Sequence, residues 1–272
     1  TDTDWKLDLA HPAASQSDID YILGHVNKLL ADPLDRTDVV GVYAGLRPLL
    51  FGESDSTSTL SREHAVSSPV RGLTVIAGGK YTTYRVMAKD AVDSAVHGLE
   101  RTVPKCVTED IPLVGADGYL GAFNSRALTA ERTGMRVSRV EHLLGRYGTL
   151  MGELLDLIDA DPELGNPLES APEYLKAEVV YAASHEGAQH LDDILTRRTR
   201  ISIEVPDRGE AAAQEVAHLV APILGWDAQH VAEEIEHYRL RVLAERDSQE
   251  QPDDDTADAA RLGAPDVRLG VS

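Results

Sequence analysis

After about residue 110 the apolar residues recur at helical spacing and strand-like alternation disappears. That change of texture restricts the chain to a mixed α/β part followed by an all-α part. The helical spacing predicts helices over 136–146, 151–159, 172–186, 189–198, 210–224 and 227–246. Asp227 stands where an N-cap is wanted, and Pro222 is expected to kink or end the helix before it. Helices of this length, closely spaced, pack as a bundle. The last stretch, 247–272, contains QPDDDTAD, is acidic and poor in apolar residues, and reads as a disordered tail.

The first part is built differently. Ile19, Ile22, Val26, Leu29 and Leu30 make a helical stripe that Asp32-Pro33 stops. DVVGVYAGL, residues 38–46, is rich in β-branched residues and predicts a strand running into Arg47-Pro48. Residues 52–59 form a polar loop, and 60–66 are compatible with a short strand. LTVIA, residues 73–77, is the kind of apolar run that makes a buried strand; it ends at Gly78-Gly79. From Lys80 to Leu99 the pattern is helical, with Ala88, Ala91 and Ala95 on a small-residue face. The expected division is therefore 1–108, a helical domain 109–246, and the tail 247–272.

Charge and cysteine content remove several function classes. The formal net charge of −20 repels nucleic acid and anionic lipid, so neither is an expected partner. Cys106 is the one cysteine, which rules out an intrachain disulfide, and with no His beside it the thiol reads as inert. No apolar run reaches the length of a membrane-spanning helix. The opening TDTDWKLDLA has no Met and no leader and reads as a chain entered in mid-domain.

Against that acidic background three basic positions stand out. In LTVIAGGKYTTYR a strand, two glycines and a helix start come together, so that backbone N–H groups and the positive end of a helix dipole face one spot. Gly78 and Gly79 carry no Cβ and allow a flat ring to come close, and Lys80 adds a full charge. Taken bare, such a turn is also what a tight connection looks like. In GVYAGLRPLL, Arg47 at a strand end is placed to fork onto a phosphate or carboxylate, with a surface ion pair as the alternative. Arg62, in LSREH, lies fifteen residues further on and either joins Arg47 or pairs with one of the many carboxylates.

GVYAGLRPL, then SDS and LSREH, then IAGGKYTTYRVMAKDAVD resembles, in order and spacing, the FAD-dependent, quinone-linked glycerol-3-phosphate dehydrogenase and glycerophosphate oxidase family. The opening TDTDW is similar to the continuation of that family's GTTD segment, and EVVY through HLDDILTRRTRI to its carboxyl-terminal cap, so the likeness spans about residues 1–246. The resemblance implies a partial FAD-dependent oxidoreductase domain, without its amino-terminal dinucleotide-binding half, followed by a helical cap. It implies that Arg47 and Arg62 hold the phosphate of glycerol 3-phosphate. It implies that Gly78, Gly79, Lys80 and Tyr81 lie against the flavin, and that Thr82 and Thr83 cap the helix that follows. Thr82 is counted with the cofactor-binding residues. The family moves a hydride from C2 of the substrate to flavin N5 and makes dihydroxyacetone phosphate; charge arriving on the ring is then met by the helix start and Lys80. The electron acceptor is a quinone or oxygen. The implied location is cytoplasmic, peripheral on the inner face of the cytoplasmic membrane, although no basic amphipathic helix here would dock alone.

The departure from the family weighs as much. No GxGxxG occurs; GADGYLG, residues 115–121, has the wrong spacing. The family's amino-terminal residues are absent, no general base is assigned, and the chain alone is expected to be inactive. A non-catalytic helical interaction module that keeps a relic of the site is the competing reading. Elsewhere, His185 and His190 are five apart rather than four, which speaks against zinc. His64 reads as a hydrogen-bonded structural histidine. Arg197, Arg198 and Arg200 are expected to pair with Asp192 and Asp193.

Overall fold

A computed structural model describes residues 3–47, 63–99 and 101–265. It divides into two compact units, Lys6–Gly45 with Met151–Ser272, and Asp2–Trp5 with Leu46–Leu150. Residues 109–150, expected with the cap, thus pack in the same unit as the strands.

The first unit is helical. α1 (Gln16–Val26) precedes α6 (Met151–Ala160), α7 (Lys176–Ser184), α8 (Ile201–Glu204), α9 (Ala213–Leu224), α10 (Ala228–Gln249) and α11 (Asp254–Arg261). Its core is a continuous cluster in which Tyr174, Val179, Leu191, Ile194, Leu195 and Val216 are almost fully buried. Each such side chain contributes about 1.5–3 kcal/mol. Asp227 caps α10 as expected, its Oδ1 accepting from the His230 N–H at 2.8 Å. Pro222 lies inside α9, which runs only two residues further before Gly225 ends it, so the missing N–H falls where the ladder is already finishing. The helix expected over 189–198 closes as a π-type turn over Asp193–Arg198, whose Ile194 carbonyl accepts from both the N–H and the hydroxyl of Thr199 at 2.8 Å.

Two expectations fail in this unit. Residues 247–265 are no disordered tail: α10 continues to Gln249, and α11 follows, capped by Asp253, whose carboxylate accepts from the Thr256 N–H at 2.9 Å. Low apolar content misled the composition argument, because Ala257 and Arg261, four apart on one face, are enough to seat a short helix. No strand forms over 38–46: the 3₁₀ turn Arg36–Asp38 is followed by a segment that has no ladder partner among the described residues. β-branched residues favour extended backbone, but a strand also needs a neighbour to take its hydrogen bonds. Gly41 packs instead against α8, where a Cβ would fall 2.5 Å from Ile203 Cα.

The second unit carries the sheet. β1 (His64–Val70) and β2 (Leu73–Gly78) form an antiparallel pair, and α2 (Tyr84–Val96) packs on it. α3 (Tyr119–Asn124), α4 (Arg126–Thr133) and α5 (Val137–Tyr147) complete the unit, and α5 buries Val140, Leu143 and Leu144. β1 starts four residues later than the strand expected over 60–66; residues 60–62 lie outside the described residues. β2 forms where expected but is not buried, because one helix covers only one of its faces. The helix expected from Lys80 to Leu99 is a 3₁₀ turn, Tyr81–Thr83, followed by the shorter α2.

Candidate functional site

β2 ends at Gly78, and its pairing with His64 is the last rung of the sheet. The chain then leaves through two residues of positive φ, Gly78 at 76° and Gly79 at 86°, a conformation that costs any L side chain about 1–2 kcal/mol. At Gly79 the packing is as demanding as the dihedral angle. A Cβ there would stand 2.5 Å from Met87 Sδ and 3.2 Å from His64 Cβ, so α2 and β1 both come close against this backbone. Lys80 and Tyr81 follow as exposed residues; Tyr81 is 92% exposed and its ring lies 6.1 Å from that of Tyr84.

Thr82 is exposed. Thr83 does not cap α2: its hydroxyl turns back and donates to the Lys80 carbonyl at 3.0 Å, and its N–H donates to the same oxygen at 3.0 Å. A 3₁₀ turn ahead of the helix puts the threonine hydroxyl over the preceding carbonyl rather than over the helix N–H groups, so the expected cap is replaced by a closed turn. The turn is thus held by its own backbone, and its outer surface is left open.

Two positioning contacts were not foreseen in this role. Arg85, on the first turn of α2, donates to the carbonyl of Thr108 and to that of Ile111 at 2.8 Å, tying the helix to the segment after it. His64 Nε2 donates to Asp90 Oδ2 at 2.8 Å, so β1 is fastened to the middle of α2; the structural reading of His64 fits this pair. Arg85 stood within the quoted motif, but only the fold shows which carbonyl oxygens it reaches.

Arg47 is exposed at the end of the extended segment, and Arg62 lies outside the described residues. The other weighed residues have structural partners. His190 Nδ1 donates to Glu234 at 2.7 Å; that buried carboxylate also accepts from the Leu191 N–H at 2.9 Å. His185 stacks on Tyr181 at 4.5 Å. Arg197 pairs with Asp192 and with Asp193, and Arg198 donates to the Glu186 carbonyl at 2.9 Å. Cys106 Sγ is 3.1 Å from the Thr108 hydroxyl. Burial and the neighbouring Glu153 push the Tyr181 hydroxyl well above its ordinary range, which leaves it a donor to that carboxylate at 2.6 Å.

The hairpin, the two glycines and the helix start thus leave one exposed lysine, Lys80, at the end of β2. The comparisons give the class. Residues 106–231 match the family described as the C-terminal domain of alpha-glycerophosphate oxidase. Over 271 residues, 100% of this chain, the sequence is 57% identical to Glycerol-3-phosphate dehydrogenase 2 of Mycobacterium bovis, of which it covers 46%. It is 31% identical to the glycerol-3-phosphate dehydrogenase of a Synechocystis strain, over 87% of this chain and 44% of the relative. Among solved structures, the glycerol-3-phosphate dehydrogenase of Bacillus halodurans complexed with FAD matches with a TM-score of 0.71 and 25% identity, over 89% of this chain and 47% of that one. The chain belongs to the glycerol-3-phosphate dehydrogenase and glycerophosphate oxidase family, as a carboxyl-terminal part. It spans about half the length of these relatives.

Proposed function

We propose that this chain supplies one edge of the flavin site, the phosphate-binding arginines and the helical cap of an FAD-dependent glycerol-3-phosphate dehydrogenase. The observation that carries the reading is the turn Gly78–Thr82: two glycines of positive φ at a strand end, followed by an exposed lysine and the start of a helix. Gly78 fits one edge of a flat ring, because nothing but backbone projects there, while the side of Gly79 where a Cβ would stand is taken up by Met87 and His64. The residues of the turn do not cradle a dinucleotide's pyrophosphate, and the sequence holds no GxGxxG to do so. FAD, when bound, takes up the two electrons that carbon 2 of glycerol 3-phosphate loses. Lys80 and the positive end of the helix face that spot and favour negative charge there. Arg47 and Arg62 hold the substrate phosphate by charge-assisted hydrogen bonds. The partner is the amino-terminal half that the longer relatives possess, and the acceptor of the electrons is a quinone or oxygen.

We further infer a cytoplasmic enzyme resting on the inner face of the membrane. Support for this comes from the family; the net charge of −20 gives this chain no long-range attraction to anionic lipid. Among the described residues no helix is long and apolar enough to cross a membrane. The test of the main reading is kinetic. In a polypeptide that includes the upstream half, Arg47→Ala raises KM for glycerol 3-phosphate by about 10- to 150-fold, and Arg62→Ala raises it less. Unchanged KM in both variants removes the phosphate role.

A further inference from the structure

A cluster of charged side chains is enclosed where α10 and α11 pack together. Arg241 pairs with Asp192 and donates to Glu245 at 2.7 Å, so its charge is answered twice. Two further guanidinium groups converge on Glu245 with poorer contacts. Arg208 Nη1 stands 3.8 Å from one carboxylate oxygen, and Arg261 Nη2 stands 3.6 Å from the other. Both separations are too long for a hydrogen bond. Arg208 is 5% exposed and Arg261 6%, and Arg208 Nη1 has no hydrogen-bond partner among the described residues. Asp258, a buried carboxylate three residues before Arg261, accepts from the Asp8 N–H at 3.2 Å. Three largely buried guanidinium groups thus share two carboxylates, Asp192 and Glu245, and Asp192 also serves the half-exposed Arg197. A guanidinium only donates and keeps its charge, so neither Arg208 nor Arg261 escapes by losing a proton. Burial pulls both below their ordinary range, and Glu245 offsets this in part. Burial acts on Arg241 as well, yet Asp192 and Glu245 lift that group above its ordinary range.

Beside the cluster lies a small pocket of about 30 Å³, lined by Glu245, Ser248, Gln249 and Arg261 and by the earlier segments 12–14 and 42–44. That volume suits one particle little larger than a water molecule and excludes a phosphate ester. The Ser248 hydroxyl donates to the Glu245 carbonyl at 2.8 Å, and Gln249 Oε1 accepts from Arg208 Nη2 at 2.7 Å. We propose that the pocket binds one small monovalent anion of chloride size, held by the Arg261 guanidinium and drawn by the charge of Arg208 behind it. Glu245 opposes an anion, but its carboxylate already faces three guanidinium groups. A water molecule fits the same space and leaves the surplus positive charge unanswered. The bound ion ties α11 to α10 and to both earlier segments, since all of them line the pocket.

The experiment measures exchange protection factors of residues 254–261 in the 272-residue chain. Ionic strength is held constant while chloride replaces gluconate, an anion too large for the pocket. A site of about 10 mM affinity raises protection about tenfold at about 100 mM chloride. R261M removes the response. R239M, which deletes an exposed guanidinium paired with Glu236, keeps it. Where R261M no longer holds α11, R208M takes its place. The chlorine NMR line, broadened by the wild-type chain and narrowed again by bromide, gives a reading that needs no variant. A rise in protection below about twofold overturns the proposal. The same follows from an undiminished response in R261M or R208M, or from a chlorine line that the chain does not broaden; water then fills the pocket.

Discussion

Replacing Gly79 by alanine probes the turn at the point where conformation and packing coincide. The φ of 86° costs an L residue about 1–2 kcal/mol. The new methyl group would also stand 2.5 Å from Met87 Sδ and 2.6 Å from its Cε, too close without movement. Overpacking of this kind costs about 1–3 kcal/mol, and Met87, a flexible thioether, places it at the lower end. The expected total is about 2–4 kcal/mol, a fall of roughly 30- to 1000-fold in the opening equilibrium of the hairpin. Exchange of the amides that are hydrogen-bonded across β1 and β2 reads this directly. The double variant Gly79→Ala with Met87→Ala separates the two costs: removing the thioether relieves the steric part, leaves the dihedral part, and gives a coupling of about 1 kcal/mol. A hairpin equally protected in Gly79→Ala, or strictly additive costs, would refute the reasoning.

Two further outcomes follow from the helical unit. Tyr238→Phe deletes the hydroxyl that donates to the Arg208 carbonyl at 2.6 Å in a buried place and keeps the ring; unfolding in denaturant should show a loss of about 1–3 kcal/mol with an unchanged slope. The N–H and hydroxyl of Thr256 hold the Asp253 carboxyl below its ordinary range, so its contribution to α11 is fully present above the unfolded carboxylate pKa and disappears as pH falls through the lower folded value. The exchange protection factors of residues 254–261 should therefore fall below about pH 4, the ordinary carboxylate range, while Asp253→Asn flattens that dependence.

The helices of both units were legible in the sequence because each carries its own local signals. The apolar stripe of α5, the Asp227 cap and the glycine after Leu224 act within a few residues, and local periodicity is enough to place them. The turn at Gly78–Lys80 was legible for the same reason, a strand run meeting two glycines and a helical pattern. What tertiary structure decided was everything that depends on a neighbour. The segment 38–46 has the composition of a strand and no ladder to join among the described residues; β2 has the composition of a buried strand and yet is exposed. Residues 254–261 have the composition of a disordered tail and yet find helices to pack on. The sequence determines what each segment prefers, since propensity and capping act along the chain. Whether that preference is kept depends on partners distant in sequence, because burial and backbone hydrogen bonding are completed only across the contact.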